Sequence, residues 1–249
     1  MKKNLSFFAA TVFLFTVAIV SQAQAAVMYD LTVVDSTAAI NGAKFVQFNE
    51  PGASTGLLDP FVRIQNNGTE QGYNTSGRID PGGKTPYPND VNKNIQYTHD
   101  FTKSDMATHI VTIDNLNYYE FLLNVNQNKG GDGEYISLDK LQIYLSDTGL
   151  KTTTTLSSLG TLIYDLDTAT VNNWIKLNYA LGAGNAVADM KAYFLTSLFT
   201  GTNPYIYLYS QFGTNFASND GEEDWGWRKE GGPNVPEPAS LSLLGLGLL

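Results

Sequence analysis

Ile136-Ser137-Leu138-Asp139-Lys140-Leu141-Gln142-Ile143-Tyr144-Leu145 holds two apolar alternations that are out of step. Ile136 and Leu138 fall on even positions, whereas Leu141, Ile143 and Leu145 fall on odd ones. Side chains of a strand alternate between faces with a period of two, so a one-residue slip sends one set to the wrong side. A single strand keeps both sets on one face only by carrying an extra residue. The pattern therefore predicts a strand with a β-bulge at Asp139-Lys140.

The same period recurs on both sides of this stretch. Val27, Tyr29, Leu31 and Val33 alternate with partly polar neighbours, as do Phe121, Leu123 and Val125. In Tyr205–Phe212 the tyrosines at 205, 207 and 209 alternate with Ile206 and Leu208. Shorter runs at Phe61–Gln65, His109–Ile113, Leu159–Leu166 and Trp174–Tyr179 have the same Val/Ile/Tyr/Phe-rich character between Gly and Asn. These read as half-buried strands. Ala183–Phe199 reads as a Gly-led turn into a strand, with at most a helical turn after it. Lys151–Ser158 is a Thr/Ser-rich linker. Asn66–Asn94, with five Gly, six Asn and three Pro, predicts a long loop. Two acidic, Gly-containing turns are expected at Asn128–Glu134 and Ser218–Asp224. Eight to eleven strands in one body spanning residues 26–228 predict an all-β fold, an antiparallel β-sandwich of jelly-roll-like form, with a barrel as the alternative.

Composition narrows the function classes. All 24 acidic residues but only 13 of the 15 basic ones follow position 25, which leaves the remainder near −11. Such a surface is a poor partner for nucleic acid, whose phosphates need clustered Lys and Arg. The chain has no Cys, so disulfides, thiolate nucleophiles and Cys-based zinc sites are excluded. His99 and His109 are the only histidines, and their spacing fits no local metal motif. His99 beside Asp100 suggests part of a triad, yet no Gly-x-Ser-x-Gly elbow supplies a nucleophile. No catalytic residues are expected.

The two ends concern location. Lys2 and Lys3 precede the apolar run Phe7–Val20 and then Ala23-Gln24-Ala25, a small-residue cleavage site with Ala26 following. Residues 1–25 read as a secretory signal peptide, a substrate for signal peptidase. Residues 229–234 read as a linker. Beyond it, Val235-Pro236-Glu237-Pro238-Ala239-Ser240-Leu241 leads into Leu243-Leu244-Gly245-Leu246-Gly247. This tail, residues 235–249, resembles the PEP-CTERM sorting signal of Gram-negative bacteria. In that family a Pro-Glu-Pro motif precedes a transmembrane segment and a basic cluster, and an exosortase processes the signal. A spanning helix needs about 20 apolar residues, so the run ending at Leu249 is expected to be truncated. The body is similar to one group of these proteins at Glu70–Thr75, Glu120–Gln127, Ile136–Leu141, Asn219–Gly221 and Glu223–Gly226. The resemblance implies a protein exported to the cell surface or extracellular matrix, anchored transiently in the inner membrane by its C-terminal tail. It also implies a structural or adhesive role linked to exopolysaccharide and biofilm, with Pro236, Glu237 and Pro238 marking the sorting site.

Two binding chemistries are carried by residues of the body. Asn124, Asn126, Asn128, Asp132 and Glu134 place oxygens at alternate positions, superficially like a calcium loop. However, Lys129 takes the turn-glycine position and Tyr135 stands where a bidentate Glu belongs. The plainer reading is a β-hairpin turn. Asp220, Glu222, Glu223 and Asp224 form a denser acidic group; a solvated surface loop is the plainer reading, and a calcium ion shared with Asp132, Glu134 or Asp139 is the alternative expectation. Tyr205, Tyr207, Tyr209, Trp225 and Trp227 are the candidate rings for stacking on sugars. The leading expectation is thus a structural or adhesive exported protein with no required cofactor. A carbohydrate-binding module, calcium-assisted, is the alternative, and a glycosidase-like enzyme comes third.

Overall fold

The computed structural model describes residues 24–48, 58–79, 96–127, 131–181 and 188–229. Ala23 of the expected cleavage site and Pro236, Glu237 and Pro238 lie outside these residues, as does the stretch 80–94 of the expected long loop. Among the described residues there is no α-helix, only single 3-10 turns between strands.

Fourteen strands, more than the eight to eleven expected, form two seven-stranded sheets. The first contains β1 (Ala25–Leu31), β5 (Glu70–Tyr73), β6 (Phe101–Thr102), β9 (Tyr135–Ser146), β10 (Thr161–Asp165), β11 (Val171–Asn178) and β13 (Tyr205–Phe212). Its order is β1-β11-β9-β13-β5, with β10 also on β9 and β6 also on β13. The second contains β2 (Thr37–Ile40), β3 (Ala43–Gln47), β4 (Leu58–Gly68), β7 (Ile110–Ile113), β8 (Leu116–Asn124), β12 (Met190–Leu195) and β14 (Ser218–Arg228). Its order is β2-β3-β12-β8-β14-β4, with β7 also on β8. Pairing is antiparallel throughout, except that β1 runs parallel to β11.

The inner faces meet in one core. From the first sheet come Ile136, Leu138, Leu141, Ile143, Leu145, Ile206, Leu208 and Phe212; from the second come Phe45, Phe61, Phe121, Leu123, Phe194 and Trp225. Both out-of-step sets of β9 are buried in that same core. The register explains how: Gln211 pairs with Lys140 and Phe212 with Leu138, leaving Asp139 as the unpaired extra residue. The bulge falls where the alternation changes phase.

Asp139 also makes the adjoining corner. Its Oδ2 accepts from Thr214 N (2.6 Å) and Ser137 Oγ (2.8 Å), and its Oδ1 accepts from Asn215 Nδ2 (2.7 Å). Ser137 Oγ in turn accepts from Phe216 N. This carboxylate closes the turn that carries the chain from β13 in one sheet to β14 in the other. Gly213 sits in the same corner at φ +86°, pressed against the Gly68 carbonyl where any Cβ would collide.

Several expectations are corrected. β8 and β9 lie in different sheets, so the turn between them joins the two layers and is no hairpin. Ser218–Asp224 is strand, not turn, and β14 extends to Arg228, so Trp227 belongs to the sandwich. Asn66–Tyr73 is no loop either, because Gly68 (φ +91°) turns β4 directly into β5.

Replacing Asp139 by Ala is expected to cost about 1–2 kcal/mol, since buried Ser137 and the part-buried bonds from Thr214 and Asn215 lose their acceptor. Urea denaturation should show a lower midpoint with an unchanged m-value.

Candidate functional site

A cleft of about 540 Å³ opens at the end of the sandwich where β4, β6, β7 and β14 converge, and it carries both histidines. Four separated segments build it. Asp59 stands at the start of β4, and His99 and Asp100 lead into β6. Ser104, Asp105 and Thr108 come from the 3-10 turn before β7, and Trp227 and Arg228 end β14. Volumes of this order accommodate small molecules.

Backbone bonds fix the walls. His99 N donates to Phe61 O (3.0 Å), Asp100 N to Ser76 Oγ (3.0 Å) and His109 N to Met106 O (2.9 Å). Asp105 Oδ2 accepts from Thr102 N and Thr102 Oγ1 (2.7 and 2.8 Å), holding the turn that presents Ser104. Asp100 Oδ2 accepts from Leu150 N (2.7 Å). The His109 ring lies flat on Trp227, with centroids 5.0 Å apart and planes at 5°. Behind the indole, Phe61 and Phe101 each stand 4.7 Å away, so the stack is anchored in the core. Asp100 Oδ1 and His99 Nδ1 are buried and have no hydrogen-bond partner. Both residues line the cleft, and buried polar groups ordinarily find a partner.

Of the expected ring platform, only Trp227 reaches this cleft. Tyr207 and Tyr209 are buried on the outer face of the first sheet, in a cluster with Tyr73, Tyr144 and Leu159, and Tyr205 packs against it. The Thr/Ser-rich linker covers that face: Tyr73 Oη donates to Thr153 O (2.9 Å), and Thr75 Oγ1 donates to Lys151 O (2.7 Å). Burial, with the Asp100 charge second, pushes the Tyr207 hydroxyl well above its ordinary pKa. Trp225 is fully buried between the sheets. Three parallel tyrosines in a strand looked like a platform because sequence does not show what lies over them.

Of the expected calcium ligands, Asp139, Asp224 and Glu223 are each engaged by other partners. The two loops do meet, since Asn219 Nδ2 donates to Gly133 O (2.7 Å). Asp139, however, is spent on its corner. Asp224 forms a two-pronged pair with Arg63 (2.6 and 2.8 Å), which also binds Glu222 (2.8 Å) and lies over the Tyr97 ring. No group of three or more His, Asp or Glu able to hold a metal ion occurs among the described residues.

Glu223 turns inward instead. Its Oε1 accepts from Gln127 Nε2 (2.6 Å), and the carboxyl is hydrogen-bonded to Glu70, itself fully buried. Burial raises the Glu223 pKa well above the ordinary value, and the neighbouring Glu70 raises it further. Gly221 lets β14 lie directly on the Asn126 carbonyl there, a position closed to any Cβ. Asp189, equally buried, is raised by burial, while Val125 N (2.8 Å) and Asn124 oppose the shift. Glu70 and Asp189 carried no signal in the sequence, because burial of a carboxylate is set by chain pairing.

Compared with family models, with curated proteins and with solved structures, the chain matches none.

The raised carboxyls have a directional consequence. A group that holds its proton more tightly when folded stabilises fully below its unfolded pKa, near 4.5 for Glu223, and that stability drains as pH rises towards the folded value. Glu223→Gln and Asp189→Asn should each flatten the alkaline decline, by up to about 1.4 kcal/mol per pH unit. Thermal melts from about pH 5 to about pH 9 check this; variants that decline as steeply as the parent would contradict it.

Proposed function

We propose that this chain is an exported cell-surface or matrix protein whose adhesive role rests on holding an uncharged, hydroxyl-rich saccharide in the His109–Trp227 cleft. The observation that carries this reading is the core-anchored His109–Trp227 ring stack, which walls a cleft whose lining is otherwise polar. A saccharide offers hydroxyls that donate to and accept from such a lining, and its C–H faces suit aromatic edges. Asp59, Ser104 and Thr108 extend the polar lining on the open side. The cleft contains no motif of nucleophilic catalysis, so the reading is binding. Calcium is not required by it.

The fold supports the same reading at a finer level. From β8 to β14 the chain crosses between layers four times, with β8, β12 and β14 in one sheet and β9, β10, β11 and β13 in the other. That interleaving is the wiring of a jelly roll, and we assign the sandwich to that form. Delivery, in this proposal, runs through signal peptidase at the Ala23-Gln24-Ala25 site and an exosortase at Pro236-Glu237-Pro238. The C-terminal tail holds the chain at the inner membrane meanwhile.

Calorimetric titration of the full chain with oligosaccharides from its host's extracellular polysaccharide tests the binding. The parent should bind, and His109→Ala should weaken binding at least tenfold. Asp59→Ala, at an exposed position, should weaken it with no change in Tm. Flat titrations across neutral glycans would overturn the reading. Delivery is tested separately: Glu237→Ala should leave a larger, membrane-bound precursor on an immunoblot, and normal processing of that variant would refute exosortase sorting.

A further inference from the structure

β1 is attached to the sandwich in a way no other strand is. It pairs in parallel with β11 from Ala25↔Val171 to Leu31↔Leu177, and among the described residues no strand pairs with its other edge. Residues Ala25–Met28 are exposed, with Val27 and Met28 at 37% and 48%, and of this strand only Leu31 is fully buried. Its neighbour in sequence, β2, lies in the opposite sheet.

The link between them is in conflict with its own residues. The alternation of Val27, Tyr29, Leu31 and Val33 continues past Leu31, and Thr32-Val33-Val34 is β-branched throughout, a composition that favours extended chain. Yet the chain folds back here in a tight turn, closed by Ser36 N donating to Val33 O (3.1 Å). Asp35 takes φ +62°, a left-handed conformation that Gly adopts at less cost, and Val33 and Val34 are left 65% and 53% exposed. The turn is therefore held by polar bonds: Thr32 N donates to Asp30 Oδ1, Asp35 N to Gln47 Oε1 and Ser36 Oγ to Val33 O. Straightening Thr32–Ser36 removes the positive φ and continues β1 as the sequence prefers.

We propose that β1 is an exchangeable strand: two copies of this chain swap Ala26–Leu31, the part of β1 that follows the proposed cleavage site, each seating the other's strand on its own β11. The seat is complementary to that strand by construction, because it already holds the same residues in register. Every β1 contact survives the swap, so the balance rests on the hinge and on concentration. The two extended links run side by side at the twofold axis, where Val33 and Val34 of one copy cover those of the other. This inference is independent of the cleft, which β4, β6, β7 and β14 build without β1.

Two differently tagged pools of the full chain, unfolded in urea and refolded together at high concentration, give the test by light scattering and tag capture. A species of twice the monomer mass carrying both tags is expected. Asp35→Gly relieves the turn and should lower the dimer fraction several-fold. Asp35→Pro, which cannot adopt φ +62°, should raise it by a similar factor. If Asp35→Pro fails to fold, the parent and Asp35→Gly decide alone. A monomer at every concentration overturns the proposal, and so does a dimer fraction that ignores the substitutions at Asp35, since another surface would then be responsible.

Discussion

Ile136 and Leu138 share a core with Leu141, Ile143 and Leu145 only because Asp139 stands outside the β9–β13 ladder. Burying a carboxylate at that position is unfavourable, and desolvation duly raises its pKa against the hydrogen bonds that oppose it. Those bonds come from Ser137, Thr214 and Asn215, so the group that compensates the bulge is the corner leading out of β13. The corner then fixes where β14 begins. Two further register shifts in β14 against β4, between Asn219 and Glu222 and between Trp225 and Gly226, adjust which of its side chains face inward. The second shift coincides with Pro60, tolerated because β4 is an edge strand.

Everything at the C-terminal end of β14 follows from that placement. Trp225 enters the core, Asp224 meets Arg63, Glu223 meets Glu70 and Gln127, and Trp227 arrives beside His109. An acidic run that composition would send to solvent is thus drawn mostly inside, with a different solution for each charge. Asp224 keeps its charge company with a guanidinium. Glu223 meets another carboxyl and is best accommodated neutral. Such pairs do little for net stability, because desolvation offsets much of their attraction. What they do is make alternative registers of β14 costly, since a slip would strand each of these groups without its partner.

The sequence was most legible where a period met a physical constraint. The alternation in β9 disclosed both a strand and its bulge, Tyr205–Phe212 matched β13, and the Gly-led segment before Phe199 became strand followed by a 3-10 turn. Asn41-Gly42, both at positive φ in the β2–β3 hairpin, is a turn signal that a reading by alternation passes over. Layer assignment was not legible, because a turn that joins two sheets and a turn that joins two neighbours use the same residues; hence the mistaken hairpin after Asn124. Nor was the cleft. Its walls come from positions near 59, 99–109 and 227, and local spacing carries no trace of such a meeting. The His99-Asp100 pair was visible, but its orphaned atoms arise from packing.

The same limit separates the tyrosines from the cleft. Tyr207 and Tyr209 have the composition of a ligand platform and the environment of a core, because the linker after β9 lies across them. His109 and Trp227 have unremarkable sequence surroundings, but together they wall the opening. A recognition surface needs rings whose backs are fixed and whose accessible side is polar, and here the aromatic pairs of Phe61 and Phe101 supply the fixed back. β1 illustrates the opposite design. It contributes little to the core, lies at the sheet edge away from β5 and β6, and is joined to the body by a turn its residues resist. With the cleft towards one side and this strand at the other, the proposed ligand binding and the proposed strand exchange would involve separate parts of the sandwich. That separation is what an adhesive matrix component requires, because a ligand held through an exchanging element would be released whenever the strand moved.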